Sequence, residues 1–363
     1  MIIVHTNIDN TIGNDMKKIL AVAVAAAFYA GTAGAATVYS DDSSRLDILG
    51  RVKVDLANND ADAEHRMLQT ARFGVYGKTA VTDGISVFGK LLYDLSAQDD
   101  KAEDRINIRY GFAGFDFGDY GTLAFGRFED AYYKSTAPTD LFLNWGDGGV
   151  SYWKLSPNDY GGRLDGQVLY DVNYQGYFLA LSYQFRDLSK QIDHSYGGTF
   201  GYEFENVWGK PLGLMAGFNR YSGYESNNKY GYREDGYFYG ADKHEWALSA
   251  YWGSYGAPGM YMALVYNYGK LDHTYAGRGF EASLAYTTPQ TDWTFMATYG
   301  YLHNEEKKLS RNDKSVLSSK LGGEIIYNLT ANFQIYTELE RRYESVFVDE
   351  SENAALLGLI YNF

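Results

Sequence analysis

From residue 45 to its last residue this chain is written with a period of two. Ile85, Val87, Gly89, Leu91, Tyr93 and Leu95 alternate with Ser86, Phe88, Lys90, Leu92 and Asp94. Tyr177, Leu179, Leu181, Tyr183 and Phe185 alternate with Phe178, Ala180, Ser182, Gln184 and Arg186. Trp246, Leu248, Ala250 and Trp252 repeat the pattern, as do Trp293, Phe295, Ala297, Tyr299 and Tyr301. Successive side chains of a strand point to opposite faces, so this period with one apolar side calls for extended chain. Sixteen such segments can be marked. They lie near 45–57, 67–79, 85–97, 105–117, 121–128, 164–174, 177–186 and 196–206, then 212–222, 243–254, 260–269, 277–287, 292–303, 315–328, 332–344 and 352–363.

The connections alternate in character. Val81 to Gly84, Gly118 to Tyr120, Gln175-Gly176, Gly256 to Gly259 and Leu329 to Ala331 are turn-like, whereas 223–242 is long and polar. Aromatics cluster at the ends of many runs, with small aliphatics between them. Composition agrees: 40 Gly and 35 Tyr against only 5 Pro suit aromatic-rich strands joined by tight turns. No linker or shift in composition divides the chain, so one domain is expected.

Several function classes drop out. The mean hydropathy is -0.36, and no apolar run reaches 18 residues, so a bundle of membrane helices is excluded. The net charge of -14 argues against nucleic acid as a partner. Without Cys there is no disulfide framework, thiolate metal site or cysteine nucleophile. The six His are scattered with no metal-binding spacing, and no nucleophile elbow or phosphate loop occurs. No catalytic residue, metal or cofactor is expected; a catalytic set assembled from distant strands is the minority reading.

The N-terminus reads as an export signal. Lys17-Lys18 precede the short apolar stretch Ile19 to Ala30, and Ala33-Gly34-Ala35 supplies small residues for cleavage. Met16 directly precedes Lys17, so residues 1–15 are expected to be untranslated, 16–35 to be the signal peptide and 36–363 the mature domain.

Short turns on one rim, long loops on the other and an even strand number are the plan of a transmembrane antiparallel β-barrel. A water-soluble sandwich or propeller also alternates, but has no reason for that loop pattern. The stripe Ala355, Leu357, Leu359, Tyr361 and Phe363, ending the chain on Phe, looks like the signal read by the barrel-assembly machinery of Gram-negative outer membranes.

Three stretches carry a family resemblance: Ser44 to Lys53, Thr70 to Lys78, and Arg109 to Arg127, with the run Phe112 to Gly121 the most specific. They resemble strands of the general, non-specific porins of Gram-negative bacteria. The resemblance implies an outer-membrane homotrimer of sixteen-stranded barrels passing small hydrophilic solutes and ions by passive diffusion. It also implies a long third loop folded into each lumen, and lipopolysaccharide as the surrounding lipid.

The third connection here runs from Glu129 to about Gly162 and carries Tyr132, Tyr133, Trp145, Tyr152 and Trp153 with Asp140, Asp147 and Asp159. Its length and aromatic content predict an ordered, functional loop. Strand parity gives its counterpart. With Leu46, Ile48, Gly50, Val52 and Val54 facing lipid, Arg51 and Lys53 point inward; Arg72 does so beside the outward Phe73 and Val75. If Ile106, Ile108, Tyr110 and Phe112 face out, Arg105 and Arg109 face in, and Arg163 stands where the loop rejoins the wall. A charge left in lipid near the midplane would cost roughly 2–4 kcal/mol, which favours this assignment. The expected constriction sets Arg51, Arg72, Arg109 and Arg163 against Asp140 and Asp147, and the family's basic cluster and first loop acid fall on these positions. Asn144, before Trp145-Gly146, stands where the family usually has a second acid. Opposed fixed charges in a narrow passage orient polar solutes and penalise apolar ones. The acidic balance predicts mild cation preference, against the local arginines.

Two further expectations follow. Arg127 shares parity with Leu123 and Phe125 and so points outward, where the family latches an acid of the second loop from a neighbouring subunit; Asp99, Asp100 and Glu103 are the candidates. The alternative function is a chitoporin-like, sugar-specific channel using Tyr132, Tyr133, Trp145, Tyr152 and Trp153 as a stacking track.

Overall fold

The computed structural model describes residues 35–59, 64–96, 106–145, 163–187, 192–223, 242–271, 275–305, and 315–363 apart from 347. Its strands are β1 (Ala36–Ser40), β2 (Ser44–Asn59), β3 (Glu64–Thr82), β4 (Ile85–Ser96), β5 (Ile106–Asp116), β6 (Thr122–Glu129), β7 (Arg163–Tyr174), β8 (Tyr177–Gln184) and β9 (Ile192–Val207). They continue as β10 (Lys210–Gly223), β11 (Lys243–Trp252), β12 (Gly259–Leu271), β13 (Tyr275–Thr287), β14 (Trp293–Asn304), β15 (Val316–Asn328), β16 (Phe333–Arg342) and β17 (Glu352–Asn362).

From β2 onward each strand pairs antiparallel with the next, and β17 pairs back onto β2 with Leu359 opposite Val54. Sixteen strands therefore close a barrel in which each of β2 to β17 is paired on both sides. The short β1 pairs with β2 from Ala36 opposite Ile48 to Ser40 opposite Arg45, just past the point where Phe363 bonds Gly50 in both directions at 2.8 and 2.9 Å. Turn chemistry fixes the hairpins. Between Tyr174 and Tyr177 the two-residue link Gln175-Gly176 has φ of 51° and 83°, the doubly left-handed turn that matches strand twist.

Side-chain burial is inverted relative to a soluble protein. Leu214, Phe218, Trp246, Leu248, Leu264, Leu284, Phe295, Leu357, Leu359 and Tyr361 are exposed on the outside, while Gln167, Thr199, Asn219, Asn267, Glu281 and Glu338 are buried inside. Such a surface is stable only where hydrocarbon replaces water. Aromatics mark both borders of the apolar band: Tyr177 lies 4.5 Å from Tyr202 and Trp293 4.6 Å from Tyr327 near the short turns, and Trp246 5.7 Å from Tyr266 nearer the loops.

One parity expectation is corrected here. Ile106 and Ile108 do face out, but Tyr110 and Phe112 face in. Leu92 pairs with Tyr110 and Tyr93 with Ile108, so Arg109 is the extra residue of a β-bulge. The bulge turns the rest of β5 over and leaves Arg109 and Tyr110 both inside.

Candidate functional site

The described arm of the third loop leaves β6 at Glu129 and lies along the inner wall. Its seat begins at Asp130, which takes hydrogen bonds from the Tyr133 amide (3.1 Å), the Tyr221 hydroxyl (2.7 Å) and the Asn219 amide (2.5 Å). Burial pushes the Asp130 carboxyl above its ordinary range, against the pull of those bonds and of Lys243. Ala131 binds Ser182 of β8 and Thr199 of β9. Helix α1 (Tyr133–Thr136) and the tight turn Ala137–Thr139 follow. Tyr261 of β12 donates to the Pro138 carbonyl at 2.8 Å and Ser283 of β13 to that of Thr139 at 3.1 Å. Gly217 makes the close approach possible, since a Cβ there would sit 2.2 Å from Ser135 Oγ.

The arm ends in a polar clasp. The backbone N–H groups of Asn144 and Trp145 each donate at 2.9 Å to the Glu338 carboxylate of β16. The Asn144 amide donates to the Tyr336 hydroxyl at 2.8 Å, and Lys53 of β2 donates to its carbonyl. Lys53 also pairs with Asp55 at 2.9 Å, and Tyr336 bonds Asp55. The amide at 144, which has both a donor and an acceptor, thus joins a carboxylate-bearing wall and an ammonium in one network.

The wall the arm leaves uncovered carries the arginines. Arg51 and Arg72 are direct cross-strand partners, and Arg72 is opposite Asp94. Asp94 holds Arg72 Nε at 2.7 Å and Arg109 Nη1 at 3.0 Å. Arg163 pairs with Glu129 at 2.9 Å, and Tyr110 donates to the same Glu129 oxygen at 2.6 Å. The Tyr110 ring packs against three cations, with Lys90 4.8 Å, Arg163 5.0 Å and Arg109 5.8 Å from its centre.

The four predicted arginines therefore share one inner face, and Asp94, Glu129, Lys90 and Tyr110 complete it. Asp94 and Lys90 were readable from the parity of β4. Tyr110 was hidden by the bulge. Asp140 accepts from Tyr133 at 2.7 Å within its own loop. Tyr132 is fully buried, packed with Ala247, Val265 and Tyr133, and Trp145 packs beside the cluster around Tyr261 and Tyr336. Asp147, Asp159, Tyr152, Trp153, Arg105, Asp99, Asp100 and Glu103 lie outside the described residues. Arg127 has partners in its own chain, the Ile108 carbonyl at 2.8 Å beside the β5 bulge and Asp165 at 2.9 Å.

A closed barrel with an apolar exterior, a polar bore and a loop arm laid along its inner wall defines a transmembrane channel. The sequence profile of Gram-negative porins matches residues 21–345. The chain belongs to that family, forms a water-filled channel for passive diffusion, and resides in the outer membrane. It is 25% identical to the outer membrane protein YedS of Escherichia coli, over 96% of this chain and 99% of that one. It is 27% identical to outer membrane porin C of Serratia marcescens, over 95% and 99%. Among solved structures, OmpF of Salmonella typhi superposes with a TM-score of 0.74 at 18% identity, covering 90% of this chain and all of the other. The trimer form of OmpT from Vibrio cholerae gives 0.68 at 15%, covering 89% of this chain and 100% of that one. The relatives are porins, which are channels rather than enzymes.

Proposed function

We propose that solutes are sorted in the gap between the arginine face of β2–β7 and the arm of the third loop. The observation that carries this reading is complementary placement: the arm lies along inner wall from β8 to β16, touching β7 through Lys134–Asp171 and β2 through Asn144–Lys53, and the cations occupy the wall between those two contacts. Arg51, Arg72, Lys90, Arg109 and Arg163 stand there against the carboxylates of Asp94 and Glu129. In this cluster five cations stand against two carboxylates and make it locally positive; Lys53 and Asp55, paired beside it on β2, add no net charge. Asp140 and Asp147 supply the facing negative charge in this reading, and Asn144 supplies none. The acidic chain as a whole favours cations weakly, and the constriction works against that preference.

The mature chain in this reading is 36–363, exported by the signal peptide 16–35, and the outward stripe Leu357, Leu359, Tyr361 and Phe363 is what the barrel-assembly machinery engages. It functions as a homotrimer in lipopolysaccharide, a reading supported by the family and by the trimer form of its Vibrio structural neighbour.

Planar-bilayer recording tests the function. Large ohmic steps in triplets, indifferent to micromolar sugar, are expected. Brief blockades by micromolar sugar would replace this reading with a sugar-specific channel.

A further inference from the structure

Between the arm's contacts with β2 and β7, the inner wall is not uniformly polar. From the short turn upward, the lumen-facing side chains of β4 are Phe88, Lys90, Leu92 and Asp94. Register sets Lys90 in one cross-strand row between Tyr76 and Phe112. Leu92 lies beside Tyr110 in the next row toward the loops, and Asp94 beside Arg72 in the row after that. Tyr76 and Leu92 share a buried cluster, against which Phe88 and Tyr110 pack. Phe88 and Tyr110 each also meet Phe112 edge-on, at 6.2 Å between ring centres. On the opposite wall, apolar side chains such as Met296 and Tyr336 pack with Leu141, Phe142 and Trp145 of the arm. No described residue of the arm belongs to the cluster of Tyr76 and Leu92, and Phe88 and Phe112 stay half-buried. A contiguous apolar patch in contact with water marks a place where something binds.

Lys90 supplies a charge to that patch. Its side chain is nine-tenths buried, and its ammonium stands 4.8 Å from the centre of the Tyr110 ring, with Arg163 at 5.0 Å and Arg109 at 5.8 Å. Arg163 holds Glu129 and Arg109 holds Asp94, but Lys90 has neither a carboxylate nor a hydrogen-bond partner among the described residues. Glu129 attracts it, yet that carboxylate is taken by Arg163 and Tyr110. An ammonium drawn out of water without a counter-ion is costly, and two neighbouring guanidinium groups add to the cost. A carboxylate arriving from the bore relieves it through a charge-assisted bond. The rings beside it favour a solute that carries a ring of its own, since aromatic groups pair edge-on or offset.

We infer that Lys90 and the Phe88–Phe112 pair form a subsite for aromatic carboxylates, with the carboxylate on the ammonium and the ring against the two phenyl groups. The inference rests on the sorting gap proposed above and names a solute class for it. A weak site of this kind concentrates such anions inside the bore and raises their flux when they are dilute outside.

Single-channel recording in KCl, with sodium benzoate, sodium acetate or neutral benzamide added to one side, tests it. Benzoate should halve the open-channel current at a concentration about ten-fold lower than either control, since acetate lacks the ring and benzamide the charge. In Lys90→Gln the advantage over benzamide should vanish, and in Phe112→Thr the advantage over acetate. The heat-modifiable folded band of each variant shows that its barrel has formed. Equal half-blocking concentrations of benzoate and acetate in the parent would overturn the inference without recourse to any variant. An undiminished benzoate advantage in both folded variants would overturn it too. The sorting gap is tested separately, by the reversal potential of Arg51→Gln in KCl alone, so its failure and that of the benzoate site are told apart.

Discussion

At the scale of single residues, the constriction is a set of cations held in place by a few carboxylates. Asp94 is the pivot, because it bonds Arg72 and Arg109 at once. Asp94→Asn should loosen both guanidinium groups and move the reversal potential in a KCl gradient toward anions. Arg51→Gln should move it toward cations. A unit charge some 8 Å from a passing ion in water is worth ~0.5 kcal/mol, so the permeability ratio should change about two-fold. No movement in either variant would remove these residues from the ion path. Arg51, Arg72 and Arg109 were legible in the sequence from strand parity and the cost of charge in lipid, and Arg163 joined them through its place at the end of the loop and the family resemblance. Their carboxylate partners were not named, since they depend on which strands neighbour one another and at what register.

At the scale of elements, the described arm of the third loop, to Trp145, is a strap fixed at both its ends, by Asp130 at its base and by Glu338 at Asn144 and Trp145. Glu338→Gln weakens the acceptor of two backbone N–H groups, each charge-assisted bond being worth about 1.5–3 kcal/mol. The expected result is a noisier open channel that closes at lower applied voltage, read in single-channel traces; traces identical to the parent would show that the clasp does not hold the loop. Gly217→Val tests the seat itself. Its side chain would enter the space of Ser135, so conductance should rise as the arm is displaced, or the heat-modifiable folded band should be lost. The sequence predicted an ordered loop from its aromatics; of these Tyr132 is buried against the wall, while Tyr152 and Trp153 lie outside the described residues. It did not announce the clasp, because Lys53, Asp55, Asn144, Tyr336 and Glu338 are separated by up to nearly three hundred positions and meet only when β17 closes onto β2.

For the whole molecule, the inverted burial pattern sets the energetics. Leu264 faces the lipid in the middle of β12, so Leu264→Arg should destabilise the barrel by roughly 2–4 kcal/mol. Thr70, on the lumen face opposite Lys53, should accept the same residue with little loss of stability and a change in conductance instead. Urea unfolding in lipid vesicles measures the first, and bilayer recording the second. Equal losses of stability would contradict the assignment of the two faces.

The sequence by itself determined the sixteen strands of the barrel, the membrane it suits and the inward direction of Arg51, Arg72 and Arg109. These follow from a local rule, that neighbouring side chains alternate between lipid and water, and from the large cost of breaking it. Only the tertiary structure decided where the rule is suspended and what faces what. The bulge at Arg109 turns Tyr110 inward, and Arg127 finds Ile108 and Asp165 within its own chain. Those outcomes turn on register and barrel closure, which bring together groups far apart in the chain and so leave no local trace in the order of residues.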